Sequence, residues 1–162
     1  MGITDGRVEQ SMRIDAQLCF ALHAAARAFD GLYRVVLREV GLTYPQYLVM
    51  LALWEHGELS VKNLGAKLRL DSGTLSPLLK RLEAAGLLER RRAVDDERSV
   101  LVWPTAAGMA LEPRIIEMKA RLAESVDLDA AQGDRLRARL VQLTESLDAA
   151  SARLAQREIP PK

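Results

Sequence analysis

The stretch that decides the fold is Leu70-Asp71-Ser72-Gly73-Thr74-Leu75-Ser76-Pro77-Leu78-Leu79-Lys80-Arg81-Leu82-Glu83. Asp71 or Ser72 is typical of a helix N-cap and Gly86 of the residue just past a helix end, so a helix is predicted between them. Pro77 lies inside this helix, where it removes one backbone hydrogen bond and crowds a carbonyl of the preceding turn. Because proteins often break local rules of this kind at functional sites, the helix is a candidate functional element.

Helix signals also precede this stretch. Residues 1–13 lack periodicity and predict a flexible N-terminal arm, whereas apolar residues at helical spacing over 14–40 predict one long helix ended by a glycine. Residues 43–46 form a capping box with proline in the first turn, which opens a helix over about 45–56 that is apolar on all sides. A serine cap then predicts a short helix over 60–68, followed by a tight connection into the next helix.

Strands and further helices are predicted after Gly86. Two short extended runs, 87–92 and 99–103, flank a polar tip and predict a β-hairpin. Thr105 is typical of the cap of a following helix, which Pro113 is expected to bend or delay. The last helix carries leucines at offsets of four, three, four and seven residues, a coiled-coil-like seam of Leu136, Leu140, Leu143, Leu147 and Leu154. This seam favours a homodimer, and the alternative is that it packs on the core of its own domain.

Composition and charge exclude several classes of protein. The chain has 162 residues, of which 49% are hydrophobic, and 23 Lys or Arg against 22 Asp or Glu give a net charge of +1. This composition excludes a disordered chain and a uniformly basic protein of the histone kind. The longest apolar run, Tyr47–Trp54, is far shorter than the ~20 residues that cross a bilayer, and residues 1–12 contain no apolar core of a secretory signal. We therefore expect no membrane association and a cytoplasmic location.

The order of the predicted elements is typical of a winged helix-turn-helix, in which a helix enters the major groove of DNA and a β-hairpin forms the wing. Charge supports double-stranded DNA as the partner, since residues 60–98 contain nine Lys or Arg against six Asp or Glu. Hydroxyl side chains suit bases or phosphates and cations suit phosphates, so the predicted DNA contacts are Ser72, Thr74, Ser76, Lys80, Arg81, Arg92 and Arg98. For the cations, the alternative is a solvated charged face.

The predicted fold class is therefore mainly α with a small β-hairpin wing. We expect residues 14–162 to form a single protomer in which 45–104 is the winged helix-turn-helix that binds DNA. The helices over 14–41 and 105–157 are expected to form a dimerisation region.

The motifs around the wing resemble those of the MarR family of dimeric winged-helix regulators. Besides the stretch 70–83, the matching segments are Gly86–Arg90, Asp95–Val100, which contains the Asp-x-Arg wing motif, and Thr105–Gly108. Pro104 is a small departure, since the family often has leucine there. The resemblance implies a homodimer bound to a pseudo-palindromic operator, with Arg98 of each wing reaching into a minor groove.

Cys19 is the single cysteine of the chain, so it forms no disulfide within it. Such a cysteine is either a small buried hydrophobe or a reactive thiol. His23 follows one turn later on the same helix face, whereas Tyr33 lies 14 residues further on. Cys19 and Tyr33 of one straight helix are then ~21 Å apart along its axis and cannot touch. A shared pocket would need Tyr33 of a partner chain, and Tyr44 is placed to accompany it.

The surroundings of Cys19 resemble the organic hydroperoxide-sensing subgroup of the MarR family. The matching residues are Leu18–Leu22, Tyr33 and Leu42–Leu51. The resemblance implies that Cys19 reacts with the peroxide and that Tyr33 and Tyr44 of the other subunit hydrogen-bond to its sulfur. It further implies that oxidation releases DNA, with an organic hydroperoxide as the inducer.

The subgroup also bears on how the oxidised thiol would be resolved. Some members carry a second, C-terminal cysteine for this step, and this chain has none. The sulfenic acid would then react with a low-molecular-weight thiol or a backbone nitrogen, or oxidise further. His23 occupies a position where relatives can carry tyrosine, so it is a candidate sensor residue whose role stays open.

Two other functions remain open from the sequence. One is a MarR-type regulator that binds a small phenolic or aromatic acid between its domains, with Cys19 structural. The other is a thiol peroxidase, which the chain disfavours because it has no second cysteine, no metal-ligand spacing and no glycine-rich phosphate loop. We therefore expect a transcriptional repressor rather than an enzyme, with no cofactor and no metal.

Overall fold

A computed structural model of the chain describes residues 12–93 and 99–157. The predicted N-terminal arm lies outside these ranges except for its last two residues. The chain divides into two compact units, Met1–Lys119 and Ala120–Lys162. Within the described ranges, no helix is long and apolar enough to cross a membrane.

The predicted first helix is interrupted, which corrects the prediction of a single helix. A 3₁₀ turn over Ile14–Ala16 precedes helix α1, Leu18–Val36, and a second 3₁₀ turn over Leu37–Val40 follows it. Gln17 separates the first two because its backbone is extended, with φ −84° and ψ 116°. Gly41 ends the second turn in the left-handed conformation that glycine adopts at no steric cost.

Helix α2, Tyr44–His56, is confirmed as a helix that is buried on several sides. Thr43 and Gln46 form its capping box, in which the Thr43 backbone N–H donates to Gln46 Oε1 at 2.9 Å. The buried side chains of α2 are Tyr47, Val49, Met50, Ala52 and Leu53. They join one hydrophobic core with side chains from the other elements of the first unit, among them Leu37, Leu64, Leu79, Leu82 and Val102.

Helices α3, Val61–Leu68, and α4, Ser72–Ala84, form the predicted helix-turn-helix pair. The turn between them contains Arg69 in the left-handed conformation, with φ 55°. A side chain at Gly65 would place its Cβ 2.9 Å from the carbonyl oxygen of Leu70. The chain can therefore turn this tightly because Gly65 has no side chain.

The wing is a three-stranded antiparallel sheet, whereas the sequence predicts only its hairpin. Strands β2, Leu88–Arg92, and β3, Val100–Pro104, form the hairpin, which is confirmed. Strand β1, Leu59–Ser60, pairs with the other edge of β3, so the order is β1-β3-β2. A two-residue strand is too short to show an alternating pattern, so the sequence does not reveal β1.

Pro113 delays the helix that follows the wing, as predicted. Thr105 caps the short helix α5, Ala106–Met109, by accepting a hydrogen bond from Gly108 N at 3.0 Å. Helix α6, Glu112–Ser125, begins only after this turn and holds Pro113 in its first turn. Proline is tolerated there because that backbone position has no hydrogen-bond acceptor within the helix.

The second unit contains helix α7, Ala130–Arg157, on which the predicted leucine seam lies. Leu143 of the seam is half-buried, and the other four leucines are exposed, namely Leu136, Leu140, Leu147 and Leu154. This exposure leaves apolar surface available to a second chain. The homodimer and the dimerisation region over 14–41 and 105–157 stay predictions.

Candidate functional site

The exposed side of helix α4 carries most of the predicted DNA contacts. The buried side chains of this helix are Leu75, Leu78, Leu79 and Leu82. The predicted contacts at the exposed side are Ser72, Thr74, Lys80 and Arg81, and Ser76 is half-buried. The spacing of the leucines therefore turns hydroxyls and cations outward, as a helix that enters a DNA groove requires.

Asp71 orders the first turn of α4. Its carboxylate accepts hydrogen bonds from the backbone N–H and the hydroxyl of Thr74, each at 2.9 Å. These hydrogen bonds, the backbone one foremost, hold the pKa of Asp71 below its usual value. Because the Thr74 hydroxyl gives its hydrogen to the cap, it can offer DNA only its acceptor lone pairs.

Two of the three consecutive arginines on β2 are bound within the chain. Arg90 donates from Nε to Glu83 Oε2 at 3.0 Å, and this hydrogen bond lowers the pKa of Glu83. Arg91 lies 3.3 Å from the Glu58 carboxylate, and its guanidinium lies 4.9 Å from the centre of the Trp103 ring. These contacts hold the wing against α4 and the segment before β1, so neither arginine is a free cation.

Arg92, the third of these arginines, is differently placed. It is exposed and forms no ion pair within residues 12–93 and 99–157. Its guanidinium is therefore available to an outside anion such as a DNA phosphate. Arg98, the other predicted wing contact, lies outside the described residues.

A cavity of about 650 Å³ lies between α3, α4 and β3. Ser72 and Ser76 line it together with Lys62, Arg90 and apolar side chains such as Leu79. The structure thus places two predicted hydroxyls in one cavity with Lys62, whose cation suits a phosphate oxygen, while Arg90 is held by Glu83. Lys62 was not predicted from the sequence. Its position in the first turn of α3, the helix before α4, could have indicated a cation near the DNA-binding surface.

Cys19 is an exposed free thiol at the second position of α1, and His23 is exposed one turn further along. This exposure contradicts the alternative that Cys19 is a small buried hydrophobe within its own chain. Helix α1 runs unbroken from Cys19 to Tyr33, so the two lie ~21 Å apart along the axis. The structure therefore does not bring Cys19 and Tyr33 of one chain together. No group of three His, Cys, Asp or Glu in the described part of the chain could hold a metal ion.

Three tyrosines form a cluster at the junction of α1 and α2. The ring centres of Tyr33 and Tyr44 lie 4.7 Å apart, and those of Tyr33 and Tyr47 lie 5.6 Å apart with planes at 23°. Tyr47 is 2% exposed, whereas Tyr33 and Tyr44 are half-buried. Tyr33 and Tyr44 were predicted as sensor residues from the sequence, whereas Tyr47 was assigned only to an apolar run. The signal for Tyr47 was its position three residues after Tyr44, which places both on one helix face.

The surroundings of these tyrosines keep their hydroxyls protonated. Burial raises the pKa of Tyr33 and, with smaller contributions from Tyr33 and Asp30, that of Tyr44. Burial, followed by the neighbouring tyrosines, raises the pKa of Tyr47 to about 12. The cluster therefore presents neutral hydrogen-bond donors, which suit an anionic sulfur.

Helix α1 exposes several large apolar side chains. None of its residues, all of which the structure describes, is buried. The exposed apolar residues include Leu18, Phe20, Phe29 and Val35. Leu18 and Phe29 share one face of the helix, and exposed apolar surface of this kind is typical of a protein–protein contact.

Comparisons with known proteins agree with this geometry. The family model described as "Transcriptional regulator SarA/Rot" matches residues 31–112. The organic hydroperoxide resistance transcriptional regulator of Bacillus subtilis is 40% identical over 136 residues, which are 84% of this chain and 92% of the relative. The regulator TtmR of Methylorubrum extorquens is 45% identical over 147 residues, which are 91% of this chain and 74% of the relative.

A solved structure extends the likeness to a DNA complex. Reduced AbfR bound to DNA matches with a TM-score of 0.77 and 31% identity, covering 87% of this chain and 96% of that chain. AbfR is a protein of Staphylococcus epidermidis. The winged helix, the exposed recognition helix and these similarities lead to one conclusion. The chain belongs to the MarR family of winged helix-turn-helix transcriptional regulators, in the group that includes the organic hydroperoxide resistance regulator.

Proposed function

We propose that this protein is a transcriptional repressor that senses organic hydroperoxides through oxidation of Cys19 and then releases its operator. The observation that carries the proposal is the exposed thiol in the first turn of α1. It stands in a chain that is 40% identical to an organic hydroperoxide resistance regulator over 92% of that relative. The peroxide reaction, the repressor role and the homodimer are parts of this proposal.

DNA binding rests on α4 and the wing of each protomer. Ser72, Thr74 and Ser76 approach the base edges and nearby phosphates from the first half of α4. Lys80 and Arg81 of α4 and Arg92 of the wing contact phosphates, and Arg98 of each wing reaches into a minor groove. In a homodimer the two recognition helices would bind half-sites ~34–36 Å apart on a pseudo-palindromic operator.

Sensing joins the thiol of one chain to the tyrosines of another. Cys19 lies exposed in the first turn of α1, where its sulfur is open to a peroxide. The unbroken helix α1 keeps Tyr33 of the same chain out of reach. As the resemblance to the hydroperoxide-sensing subgroup implies, Tyr33 and Tyr44 of a second copy supply the hydrogen bonds to the sulfur. His23, one turn from the thiol, lines the same site.

The chemical step is a two-electron oxidation of sulfur. The Cys19 Sγ anion attacks one peroxide oxygen, the S–O bond forms as the O–O bond breaks, and the second oxygen leaves as an alkoxide that takes a proton. Sulfur becomes a sulfenic acid and the hydroperoxide becomes an alcohol. A low-molecular-weight thiol then condenses with the sulfenic acid to a mixed disulfide and water.

Release of DNA follows from the position of Tyr44. Tyr44 belongs to α2, and α2 contacts both α3 and the recognition helix α4. A larger group on Cys19 displaces the tyrosine ring, and the close-packed core passes this displacement from α2 to α4. A change in the spacing of the two recognition helices weakens binding to both half-sites at once.

The decisive experiment compares the wild type with Cys19→Ser in a fluorescence anisotropy assay on operator DNA. Cumene hydroperoxide should release the wild type and leave Cys19→Ser bound, while intact-mass spectrometry shows one added oxygen only on the wild type. Hydrogen peroxide at the same concentration is the control for non-specific oxidation. Release of Cys19→Ser by the organic hydroperoxide would overturn the proposal.

Mixed dimers test whether the tyrosines act across the interface. A dimer of one Cys19→Ser chain and one Tyr33→Phe chain contains one intact site only if Tyr33 serves the partner's thiol. We expect this dimer to react with peroxide at the wild-type rate per thiol, whereas the Tyr33→Phe homodimer reacts slowly. Equally slow reaction of both dimers would show that Tyr33 does not act between chains.

A further inference from the structure

The two ends of helix α2 serve different neighbours. Tyr44, a residue of the proposed sensing reaction, begins the helix, whereas Trp54 lies near its other end, ~15 Å further along the axis. The indole N–H of Trp54 donates a hydrogen bond to the Gly108 carbonyl at 3.0 Å. Helix α2 therefore connects a candidate sensor residue at one end to helix α5 at the other.

Gly108 continues this connection through the cap of α5. Its backbone N–H donates to the Thr105 hydroxyl oxygen at 3.0 Å, and that hydroxyl donates to the Gly86 carbonyl at 2.6 Å. The backbone N–H of Thr105 donates to the next carbonyl, that of Leu87, at 3.1 Å. Thr105 therefore holds both carbonyls of the turn that follows the recognition helix α4.

This turn is fixed to the end of α4. The Leu87 N–H donates to the Leu82 carbonyl at 3.0 Å, a bond across the end of the helix that is typical of a helix C-terminus. A side chain at Gly108 would collide with the Leu87 carbonyl, so α5 lies directly against the turn. Helix α5 and the end of α4 therefore form one close-packed unit, and Trp54 joins this unit to α2.

We propose that Trp54 is a positioning residue that passes a displacement of α2 to the recognition helix through the hydrogen bonds of Gly108, Thr105 and Gly86. This inference rests on the proposed function, in which oxidation of Cys19 displaces Tyr44. Packing alone does not fix the direction of the movement, because apolar contacts are non-directional. Hydrogen bonds weaken steeply when their length or angle changes, so a shift of α2 draws α5 and the end of α4 with it.

The variant Trp54→Phe removes the indole N–H and keeps an aromatic ring at the same position. The Gly108 carbonyl still accepts a hydrogen bond from the Leu111 N–H at 3.3 Å, so this acceptor keeps a partner and the fold is retained. The readout is the release ratio, defined as the operator Kd after oxidation by cumene hydroperoxide divided by the Kd before it. Fluorescence anisotropy measures both values.

We expect the release ratio of Trp54→Phe to be several-fold smaller than that of the wild type. The rate of Cys19 oxidation should stay at the wild-type value, because Trp54 lies far from Tyr44 along α2. A merely structural role of Trp54 would change the operator Kd of the reduced and the oxidised protein equally. An unchanged release ratio would therefore overturn the inference.

Thr105 offers a matched pair of variants. Thr105→Ser keeps the hydroxyl and its two hydrogen bonds, whereas Thr105→Val replaces the hydroxyl by a methyl group of similar size. We expect a reduced release ratio for Thr105→Val and the wild-type ratio for Thr105→Ser. Adding Trp54→Phe to Thr105→Val should cause no further loss, because both residues act in one chain of hydrogen bonds. An equal loss in Thr105→Ser would overturn the inference, since its hydroxyl is intact.

The wild type separates this inference from the proposed function. If its release ratio is near one, the proposed function is overturned together with the inference. If the wild-type ratio is large and Trp54→Phe retains it, the inference alone is overturned and the proposed function stands.

Discussion

Helices α1 and α2 are both rich in apolar residues, yet α2 is buried in the core and α1 is exposed. The side chains of α2 form the middle of the core, with Val49, Met50 and Leu53 fully buried. No residue of α1 is buried along its described length, and Phe29 remains 48% exposed. The difference teaches that the winged helix buries its own core, whereas α1 leaves large apolar side chains exposed.

The largest expected effect lies in the core, at Gly108. A Cβ at this position would lie 2.0 Å from the carbonyl oxygen of Leu87, and the Gly108 carbonyl accepts a hydrogen bond from Trp54 at 3.0 Å. Gly108→Ala should therefore lower the free energy of unfolding by about 3 kcal/mol, measured by urea titration. Gly31→Ala on α1 is the control, since a Cβ there meets nothing within 4 Å. Similar losses in both variants would contradict the contrast between the close-packed core and the exposed helix α1.

The next largest effect should fall on assembly rather than on folding. Phe29→Ala removes an exposed ring from α1, so the winged helix should stay folded while the dimer dissociates more readily. We expect a rise of roughly thirtyfold in the dimer Kd, about 2 kcal/mol, measured by analytical ultracentrifugation. Arg27→Ala, at an exposed polar position of the same helix, is the control. An unchanged dimer Kd for Phe29→Ala would show that this part of α1 does not cover the partner.

The wing shows a similar contrast between two neighbouring arginines, one bound inside the chain and one without an ion pair among the described residues. Arg91 is engaged by Glu58 and Trp103, whereas Arg92 is exposed. Arg92→Ala should weaken operator binding several-fold and reduce the slope of log Kd against log salt by about 1 per wing. Arg91→Ala should leave that slope unchanged. If Arg91→Ala lowers the slope as much as Arg92→Ala, the internal pairing of Arg91 does not persist on DNA.

The smallest effect concerns the ion pair that joins α4 to the wing. Arg90 holds the pKa of Glu83 below its ordinary value of 4.5, so the pair stabilises the fold above that pH and loses its effect as pH falls through the lowered pKa. Both side chains are partly exposed, at 38% for Glu83 and 25% for Arg90, so the contribution at pH 7 should be only about 0.5 kcal/mol. Glu83→Gln should lose this amount at pH 7 and show no loss in strong acid, as measured by urea unfolding at each pH. If Glu83→Gln also lowers the free energy of unfolding in strong acid, the effect comes from packing and not from the ion pair.

Local signals account for the parts of the fold that were predicted. The capping box at Thr43, the caps at Ser60 and Asp71 and the delay caused by Pro113 each act within four residues of chain. The break at Gln17 was not predicted, because the apolar spacing continues through this residue. Only its extended backbone interrupts the helix.

The candidate site also contains features that local sequence predicts and features that it does not. The distance that separates Cys19 from Tyr33 follows from helix geometry alone, so the sequence predicted that one chain cannot bring them together. The ring contact between Tyr33 and Tyr47 joins two helices. The spacing of residues along one helix carries no information about such a partner.

The sequence by itself determined the order of the main helices and of the wing hairpin, because caps, turns and periodicity are short-range properties of the chain. Only the tertiary structure decided which side chains meet. Arg91 donates a hydrogen bond to Glu58, 33 residues away in the chain, and Trp54 donates one to the Gly108 carbonyl, 54 residues away. Such contacts depend on how the elements pack, and packing is a property of the whole core rather than of any local pattern.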